Sequence, residues 1–554
     1  MMDTTYIRVW IAAGAVTALA SCTKMETRID TQFTEDHIQS NYQSVMGFGY
    51  MAYTKLHNGF YALDGNLFAA ASDEAEQTAS SSAAQLFNNG SWNAFNNPDD
   101  VYASSYEGIR AANFFLAYSA DYKTLLAHNR DTLSDNGLQY RRDVLDVGWL
   151  RAENRVLRAY FYFELLKRYG GVPLVTQVLS IDDDTDLPRA STTDIVSFIV
   201  SEIDAVRDSL QVSWPGYDEA LDGRLTLGGA LALKSRVLLY AASPLHNPEG
   251  DIGKWQQAAD AARDVIALER YSLHPSYPDL FVGDQTAKSN ETIWGIRIGP
   301  DNTLERNNYP IGTPGGNSGV TPSHNLAAAY EWNGAEDPAD PYANRDPRLG
   351  YTIAYNNSNW NGRTIEIWPG GRDAYTNANA SRTGYYLKKF MSGQLNLVQG
   401  EERLRTWIVF RYAEILLNYA EAMNEAYGPD QTNGSGISAR EALQLVRNRP
   451  GVELAPVAAA SREELREHIK HERRVELAFE DHRYWDLRRW QDAEQALNQP
   501  LMGIRATRNT EGTFAYTEFR VENRVFDASR MYFHPIPQSE INKSANRLTQ
   551  NPGW

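Results

Sequence analysis

The chain has one cysteine among its 554 residues, Cys22. A single cysteine excludes an internal disulfide, so the fold has to be stabilised by packing. No apolar run reaches the roughly 20 residues that a membrane-spanning helix requires. Acidic side chains outnumber basic ones by 70 to 53, which gives a formal net charge of −17. Nucleic acids and anionic lipid surfaces bind basic faces, so this charge argues against both as partners.

An uncharged apolar run lies directly before the cysteine, at residues 9–20 (VWIAAGAVTALA). Its length of about a dozen residues is typical of a signal-peptide core, and Arg8 supplies a positive charge in front of it. Residues 19–22, LASC, resemble the bacterial lipobox, in which cleavage leaves the cysteine as a lipid-modified N-terminus.

We therefore predict a lipoprotein signal peptide at residues 1–21, a lipid anchor on Cys22 and a polar tether at residues 22–33. The alternative is an ordinary signal peptide cleaved near Ala20, in which case the cysteine has no role. Whether the mature protein is attached to a membrane therefore depends on Cys22.

The rest of the sequence shows mainly helical periodicity, with long irregular stretches at residues 275–347 and 356–400. Helices are predicted at residues 151–169, 224–242, 254–269, 412–427 and 438–449, and one long helix is predicted from Ser461 towards Trp490. Long loops in a compact protein are often functional, and the aromatic content of these two argues against disorder.

The segment 412–427 carries the clearest pattern. Its polar side chains, from Arg411 to Glu425, recur at intervals of three and four residues and form one narrow stripe. Paired helices joined by glycine–proline turns are similar to tetratricopeptide hairpins. We predict a mainly α fold, a tetratricopeptide-like scaffold of helical hairpins whose long irregular loops carry the ligand face.

Motifs for catalysis or metal binding are weak. The sequence has no G-x-S-x-G element, and its only cysteine is assigned to the anchor. His468 and His471 lie one helical turn apart without an evident third ligand. Residues 473–490 alternate charges with tryptophan and tyrosine, which predicts a structural ion-pair network. We expect no cofactor and no metal. Any two of the 70 acidic side chains could meet as a catalytic pair, but no motif makes a positive case for an enzyme.

Several longer segments carry a family resemblance. They are ERRVELAFEDHRYWDLRRW (472–490), RAENRVLRAYFYFELLKRYGGVPL (151–174), WIVFRYAEILLNYAEAMNEA (407–426), NETIWGIR (290–297), NRDPRL (344–349) and FHPIPQSEINKSANRLTQNPGW (533–554). In combination they resemble the SusD/RagB family of nutrient-binding outer-membrane lipoproteins. The resemblance divides the mature chain into a SusD-like N-terminal region at 34–250 and a RagB/SusD C-terminal region, with the ligand-face loops, at 251–554.

The resemblance implies a non-catalytic protein, lipid-anchored in the cell outer membrane and exposed at its surface. Its partners would be a glycan ligand and a SusC-like TonB-dependent transporter that it covers as a lid. A peptide ligand is the nearest alternative. A helical glycoside hydrolase, with two carboxylates about 5–9.5 Å apart, and a pure interaction scaffold are the others.

Candidate ligand residues follow from the chemistry of sugars, whose apolar ring faces stack on aromatic side chains while amides and carboxylates bind the hydroxyls. Trp92 lies among asparagines and an aspartate pair in NNGSWNAFNNPDD, where relatives often place a stacking tryptophan, so we expect it to be exposed. Asp73 lies in the preceding segment. The second predicted loop contributes Trp360, Trp368, Arg372 and Tyr375.

Overall fold

The computed structural model describes residues 41–554, except 129, 134–136, 181, 184–185, 215–222, 284–285, 394, 435 and 546. The predicted signal peptide, Cys22 and the tether lie outside the described residues. Within the described ranges, no helix combines the length and the apolar character needed to cross a membrane.

The fold is mainly helical. The helices are α1 (Tyr42–Tyr50), α2 (Ala84–Asn88), α3 (Tyr102–Tyr118), α4 (Tyr122–Ala127), α5 (Leu138–Tyr169), α6 (Thr192–Val206), α7 (Leu227–Ala242), α8 (Ile252–Ile266), α9 (Thr303–Asn308), α10 (His324–Ala327), α11 (Arg348–Thr352), α12 (Tyr412–Tyr427), α13 (Ala439–Arg447), α14 (Arg462–Glu476), α15 (Arg483–Arg489), α16 (Ala493–Leu497) and α17 (Gln538–Lys543).

Strands are short and pair only in twos within the described part of the chain. They are β1 (Ala75–Gln77), β2 (Thr292–Asp301), β3 (Val320–Pro322), β4 (Ile353–Ala354), β5 (Asn359–Trp360), β6 (Arg363–Thr364), β7 (Tyr386–Leu387), β8 (Arg403–Arg411), β9 (Leu501–Arg508) and β10 (Phe514–Glu522). The pairs β1–β3, β2–β8, β4–β7, β5–β6 and β9–β10 are all antiparallel.

The predicted helical hairpins are confirmed. Helix α7 packs against α8, α8 against α12, and α12 against both α13 and α14. The side chain of Ser438 caps α13 and forms a capping box with Glu441, which fixes where this helix begins. The segment predicted at 151–169 is the buried C-terminal half of the 32-residue helix α5, which ends at Gly170 with φ 71°.

The single long helix predicted from Ser461 towards Trp490 is wrong. Helix α14 ends at Glu476 and α15 begins at Arg483, because Phe479 and Asp481 adopt left-handed backbone angles with φ 66° and 62°. The break turns Glu480 inward, where its carboxylate accepts hydrogen bonds from Arg411 and Lys389.

The polar stripe of α12 faces other helices rather than solvent. Glu414 pairs with Arg236 of α7 at 2.6 Å, and Glu421 pairs with Arg489 of α15. The two arginines belong to different helices, so the stripe connects α12 to both α7 and α15. The predicted ion-pair network at 473–490 is confirmed by the pair between Arg489 and Glu421 and by the 3.0 Å pair between Arg473 and Asp486.

A second set of buried charges, the ion hub, links the helices to the loop-rich segments. Its members are Glu291, Arg348, Arg411, Arg449, Glu472, Glu476 and Glu480. Burial alone would raise the pKa of Glu476, but Arg449, Arg411 and Arg348 outweigh it and hold the pKa well below its usual range.

Candidate functional site

Trp92 is buried, so the expectation that it is exposed is wrong. Only 1% of its surface is accessible. Its ring lies 4.6 Å from that of Trp554 and 4.8 Å from that of His534, centroid to centroid. The asparagine-rich turn that follows it is exposed at Phe95, which is 84% accessible. Trp92 therefore anchors this turn to the C-terminal segment.

Asp73 is also held by protein partners. Its carboxylate accepts hydrogen bonds from Nε and Nη2 of Arg483 at 2.8 and 2.9 Å and from Arg474 at 2.8 Å. Burial would raise the pKa of Asp73, but the two arginines hold it well below its ordinary value. The adjacent Glu74 lacks such a pairing, and burial followed by the charge of Asp73 raises its pKa to about 8.

Asp73 lies at a polar cleft of about 910 Å³ next to α14, α15 and α16. The described lining residues are mostly charged or amide side chains, and the indole among them, Trp490, is 6% accessible and lies under the Lys470 ammonium. A cleft of this kind can bind polar groups, but it offers no aromatic face on which a sugar ring could stack.

Trp360 is the first predicted ligand residue of the second loop, and it is only 6% accessible. Its ring packs edge-on against Tyr309 at 5.2 Å, which is a core contact. The remaining predicted residues of the loop, Trp368, Arg372 and Tyr375, lie at the surface: Trp368 is half-buried, and the other two are exposed.

Trp368 and Tyr375 lie beside the β9–β10 hairpin, whereas the Arg372 guanidinium pairs with Glu366 at 3.2 Å. The Trp368 and Phe514 rings are 5.1 Å apart, and the Arg508 guanidinium lies 5.4 Å from the Trp368 ring centroid. The Arg505 guanidinium lies 5.2 Å from the centroid of Tyr375. The structure thus brings two of the six predicted ligand residues, Trp368 and Tyr375, to the hairpin, while Trp92, Asp73 and Trp360 lie elsewhere.

One side of the hairpin is held against the body of the protein. Tyr516 contacts the body on this side. Its ring centroid lies 5.4 Å from that of Tyr342, and its hydroxyl accepts a hydrogen bond from the Asn356 side chain. Ile504 and Ala506, on the same side, are buried. Because side chains alternate along a strand, Arg505 and Phe519 lie on the opposite, solvent-facing side.

Phe519 sits over Gly503, where a Cβ atom would lie 2.8 Å from the phenylalanine ring. The Arg505 guanidinium covers this ring in turn, at 4.4 Å from its centroid. We name the resulting surface the hairpin platform. It has two sides, with Tyr375, Arg505 and Phe519 on one and Trp368, Arg508 and Phe514 on the other.

The hairpin residues of this platform escaped the prediction from sequence. Two alternating stretches, LMGIRATR at 501–508 and FAYTEFRVE at 514–522, flank a short polar turn that contains Gly512. This pattern is a hairpin signal and identifies the strands. It does not identify the loop that packs beside them, because that loop lies more than 120 residues earlier in the chain.

The platform can bind a ligand with both apolar and polar faces. Aromatic rings offer stacking surfaces, and guanidinium groups donate several hydrogen bonds in one plane. Among the described residues, no group of histidine, cysteine, aspartate and glutamate side chains is arranged to hold a metal ion.

The paired helices described above place the chain among tetratricopeptide-like scaffold proteins. A family model described as the SusD family matches residues 286–554, and a second, described as starch-binding associating with outer membrane, matches residues 29–239. The chain belongs to the SusD/RagB family.

Relatives in sequence and structure agree with this membership. A SusD-like protein of Formosa agariphila is 26% identical over 371 residues, which are 64% of this chain and 68% of that one. A SusD-like protein of Bacteroides fragilis has a TM-score of 0.77 at 26% identity, over 95% of this chain and 99% of that one. A SusD-like carbohydrate binding protein of the same species has a TM-score of 0.74 at 26% identity, over 92% and 99%.

Proposed function

We propose that the protein is a non-catalytic, glycan-binding lipoprotein of the outer membrane. It would capture oligosaccharide at the cell surface and deliver it to a SusC-like TonB-dependent transporter. The hairpin platform carries this proposal, because it presents aromatic rings and free donors together at the surface of a SusD-family chain.

Chemistry supports a sugar as the ligand. Pyranose rings have apolar faces that stack on Tyr375 and Trp368, while their hydroxyls accept from guanidinium groups such as that of Arg505. The hairpin is held against the body by Tyr516, Ile504 and Ala506, so little ordering is needed when a ligand binds. The carbohydrate-binding relative from B. fragilis gives independent support.

Isothermal titration calorimetry of the purified protein against a panel of oligosaccharides and peptides tests the proposal. We expect at least one oligosaccharide to bind. Tyr375→Ala should weaken its affinity about tenfold, or about 1.4 kcal/mol, whereas Tyr375→Phe retains the ring and should bind nearly as well as the wild type.

Three outcomes would contradict the proposal. Binding of peptides without any sugar would favour the peptide alternative. Released reducing sugar would identify a glycoside hydrolase. A loss of sugar binding in Phe95→Ala but not in Tyr375→Ala would move the site from the platform to the asparagine-rich turn.

The lipid anchor on Cys22 and the transporter partnership complete the proposal. The cysteine follows a lipobox-like sequence, and the second family description names outer-membrane association. The domain boundary predicted near residue 250 remains part of the same proposal.

A further inference from the structure

Two arginines of the hairpin platform, Arg505 and Arg508, contact aromatic rings rather than carboxylates in the described structure. Both are exposed, and neither forms an ion pair or a hydrogen bond with the described residues. Carboxylates are in excess in this protein, with 70 acidic to 53 basic side chains. The buried arginines of the ion hub, by contrast, all contact carboxylates.

Aromatic rings hold these two guanidinium groups instead. Arg505 lies between the rings of Phe519 and Tyr375, at 4.4 and 5.2 Å from their centroids, and Arg508 lies over Trp368 at 5.4 Å. Stacking uses the flat face of a guanidinium and leaves its in-plane N–H donors free. Each group is thereby oriented without being neutralised.

Free, oriented guanidinium donors match one ligand chemistry better than any other. Their fork geometry fits the two oxygens of a carboxylate or the oxygens of a sulfate, and charge-assisted hydrogen bonds are about twice as strong as neutral ones. A neutral sugar hydroxyl would use only one donor at a time.

The positions of the two groups suit an extended chain. Arg505 and Arg508 are three positions apart, so their Cα atoms lie about 10 Å apart along β9 and their side chains leave opposite sides of the strand. The loop at 366–375 reaches both sides, with Tyr375 beside one guanidinium and Trp368 beside the other. Thr507 and Thr517, both exposed, add hydroxyls on the side of Arg505.

We propose that the preferred ligand is an acidic glycan, whose carboxylate or sulfate groups are bound by Arg505 and Arg508 beside the stacking rings of the hairpin platform. The inference depends on the glycan-binding function proposed above and names the class of glycan. It assigns stacking to the aromatic residues and charge selection to the two arginines.

Calorimetry with three defined probes tests this inference. They are tetragalacturonic acid, a sulfated carrageenan tetrasaccharide and neutral maltotetraose. We expect at least one acidic probe to bind at least tenfold more tightly than the neutral one, and the stronger of the two acidic probes identifies the anion. Its affinity should fall as sodium chloride is raised, because screening weakens exposed charge pairs.

Variants separate the charge from the fold. Arg505→Gln and Arg508→Gln should each weaken the acidic probe about tenfold and weaken maltotetraose far less, because glutamine keeps a hydrogen-bond donor but loses the charge. Arg142→Gln is the matched control, because Arg142 is an exposed arginine on α5 that stacks on no ring in the described structure, and it should bind like the wild type. Unchanged melting temperatures establish that the variants are folded.

The inference and the proposed function fail in different ways. Equal, salt-independent binding of neutral and acidic probes, with no effect of Arg505→Gln, would overturn the acidic-glycan inference and leave glycan binding intact. An equal loss of acidic-probe binding in Arg142→Gln would show that the effect comes from the net charge of the protein, and this result would also overturn the acidic-glycan inference. No binding of any probe or of any oligosaccharide in the wider panel would overturn the proposed function itself.

Discussion

At the scale of single residues, burial decides what each aromatic or charged side chain can do. Trp92 has the sequence context of a binding residue but the contacts of a core residue. Phe87, His534 and Trp554 surround its indole, with centroids 4.6–4.9 Å away. Its role is to hold distant parts of the chain together.

Replacing Trp92 with alanine is therefore expected to destabilise the fold. Loss of a buried tryptophan costs about 3–5 kcal/mol, because the transfer free energy is lost and a cavity remains. Urea unfolding followed by circular dichroism measures this cost. Phe95→Ala is the control, since an exposed side chain should change stability by less than about 0.5 kcal/mol. A stable Trp92→Ala variant would contradict the core role.

Two glutamates one turn apart on α12 offer a matched pair of charge deletions. Glu421 is buried and accepts from Arg489 and Trp490, whereas Glu425 pairs with the half-exposed Arg466. Glu421→Gln should cost about 1.5–3 kcal/mol, because it removes one of the two buried carboxylates that pair with Arg489 and leaves only Asp486. Glu425→Gln should cost less than about 1 kcal/mol. Equal unfolding free energies for both variants would refute this difference.

Glu74 makes a pH-dependent contribution. Burial raises its pKa from 4.5 to about 8. Between these values the folded protein holds a proton that the unfolded chain has released, so this group lowers stability as the pH rises. Glu74→Gln should therefore gain stability relative to the wild type from about pH 5 to about pH 8. Denaturant unfolding at both ends of the window measures the gain, which should be absent in the exposed control Glu511→Gln.

At the scale of secondary-structure elements, local pattern predicts helices well and their interruptions poorly. The polar stripe from Arg411 to Glu425 predicts the bounds of α12 correctly. Its spacing of three and four residues follows the helical turn, and the residues between are buried against neighbouring helices. The break at Phe479 and Asp481 has no such local sign. Its cause is tertiary: Glu480 is drawn towards Arg411 and Lys389, which come from other segments.

The candidate site shows the same contrast between what local sequence predicts and what tertiary contacts decide. Composition predicts that loop aromatics contribute to it, and Trp368 and Tyr375 do lie at the surface. Sequence could not show that Trp92 is covered, because its partners His534 and Trp554 follow more than 440 residues later. Nor could it bring Arg505 beside Tyr375, since only the docking of the hairpin does so.

The hairpin itself gives an element-scale prediction. A Cβ atom at Gly503 would lie 2.7 Å from the Thr383 carbonyl oxygen and 2.8 Å from the Phe519 ring. Gly503→Ala should therefore displace Phe519 and weaken glycan binding about tenfold or more, while helical circular dichroism is retained. Gly299→Ala on β2 is the matched control, because nothing lies within 4 Å of its added Cβ. Unchanged affinity in Gly503→Ala would separate the binding site from the hairpin.

At the scale of the whole molecule, the scaffold joins the N-terminal and C-terminal family matches into one packed body. Asp73 contacts Arg474 and Arg483, and the main-chain oxygen of Ser72 accepts from Arg524. Buried apolar residues from 52 to 548 form one contiguous core. A change in either half is expected to affect the stability of both.

Attachment to the membrane is the remaining whole-molecule prediction. Cys22→Ala should move the protein from the membrane fraction to the soluble fraction and leave its unfolding free energy unchanged, because the anchor precedes the folded body. Cell fractionation with immunoblotting measures the distribution, with Thr23→Ala as the control that stays in the membrane fraction. Retention of the Cys22→Ala protein in cells without the partner transporter would show that the anchor prediction is wrong.

The ion hub also has a consequence for the chain before it folds. Glu291 and Arg449 are 158 residues apart in sequence, and Arg348 and Glu476 are 128 apart. Contacts at such separations carry a large loop-closure cost, so we expect the hub to close late in folding. Until then each of these charges is hydrated singly. While the unfolded chain crosses a membrane, these charges would help to keep it soluble in water. After folding, the same charges form the buried ion hub.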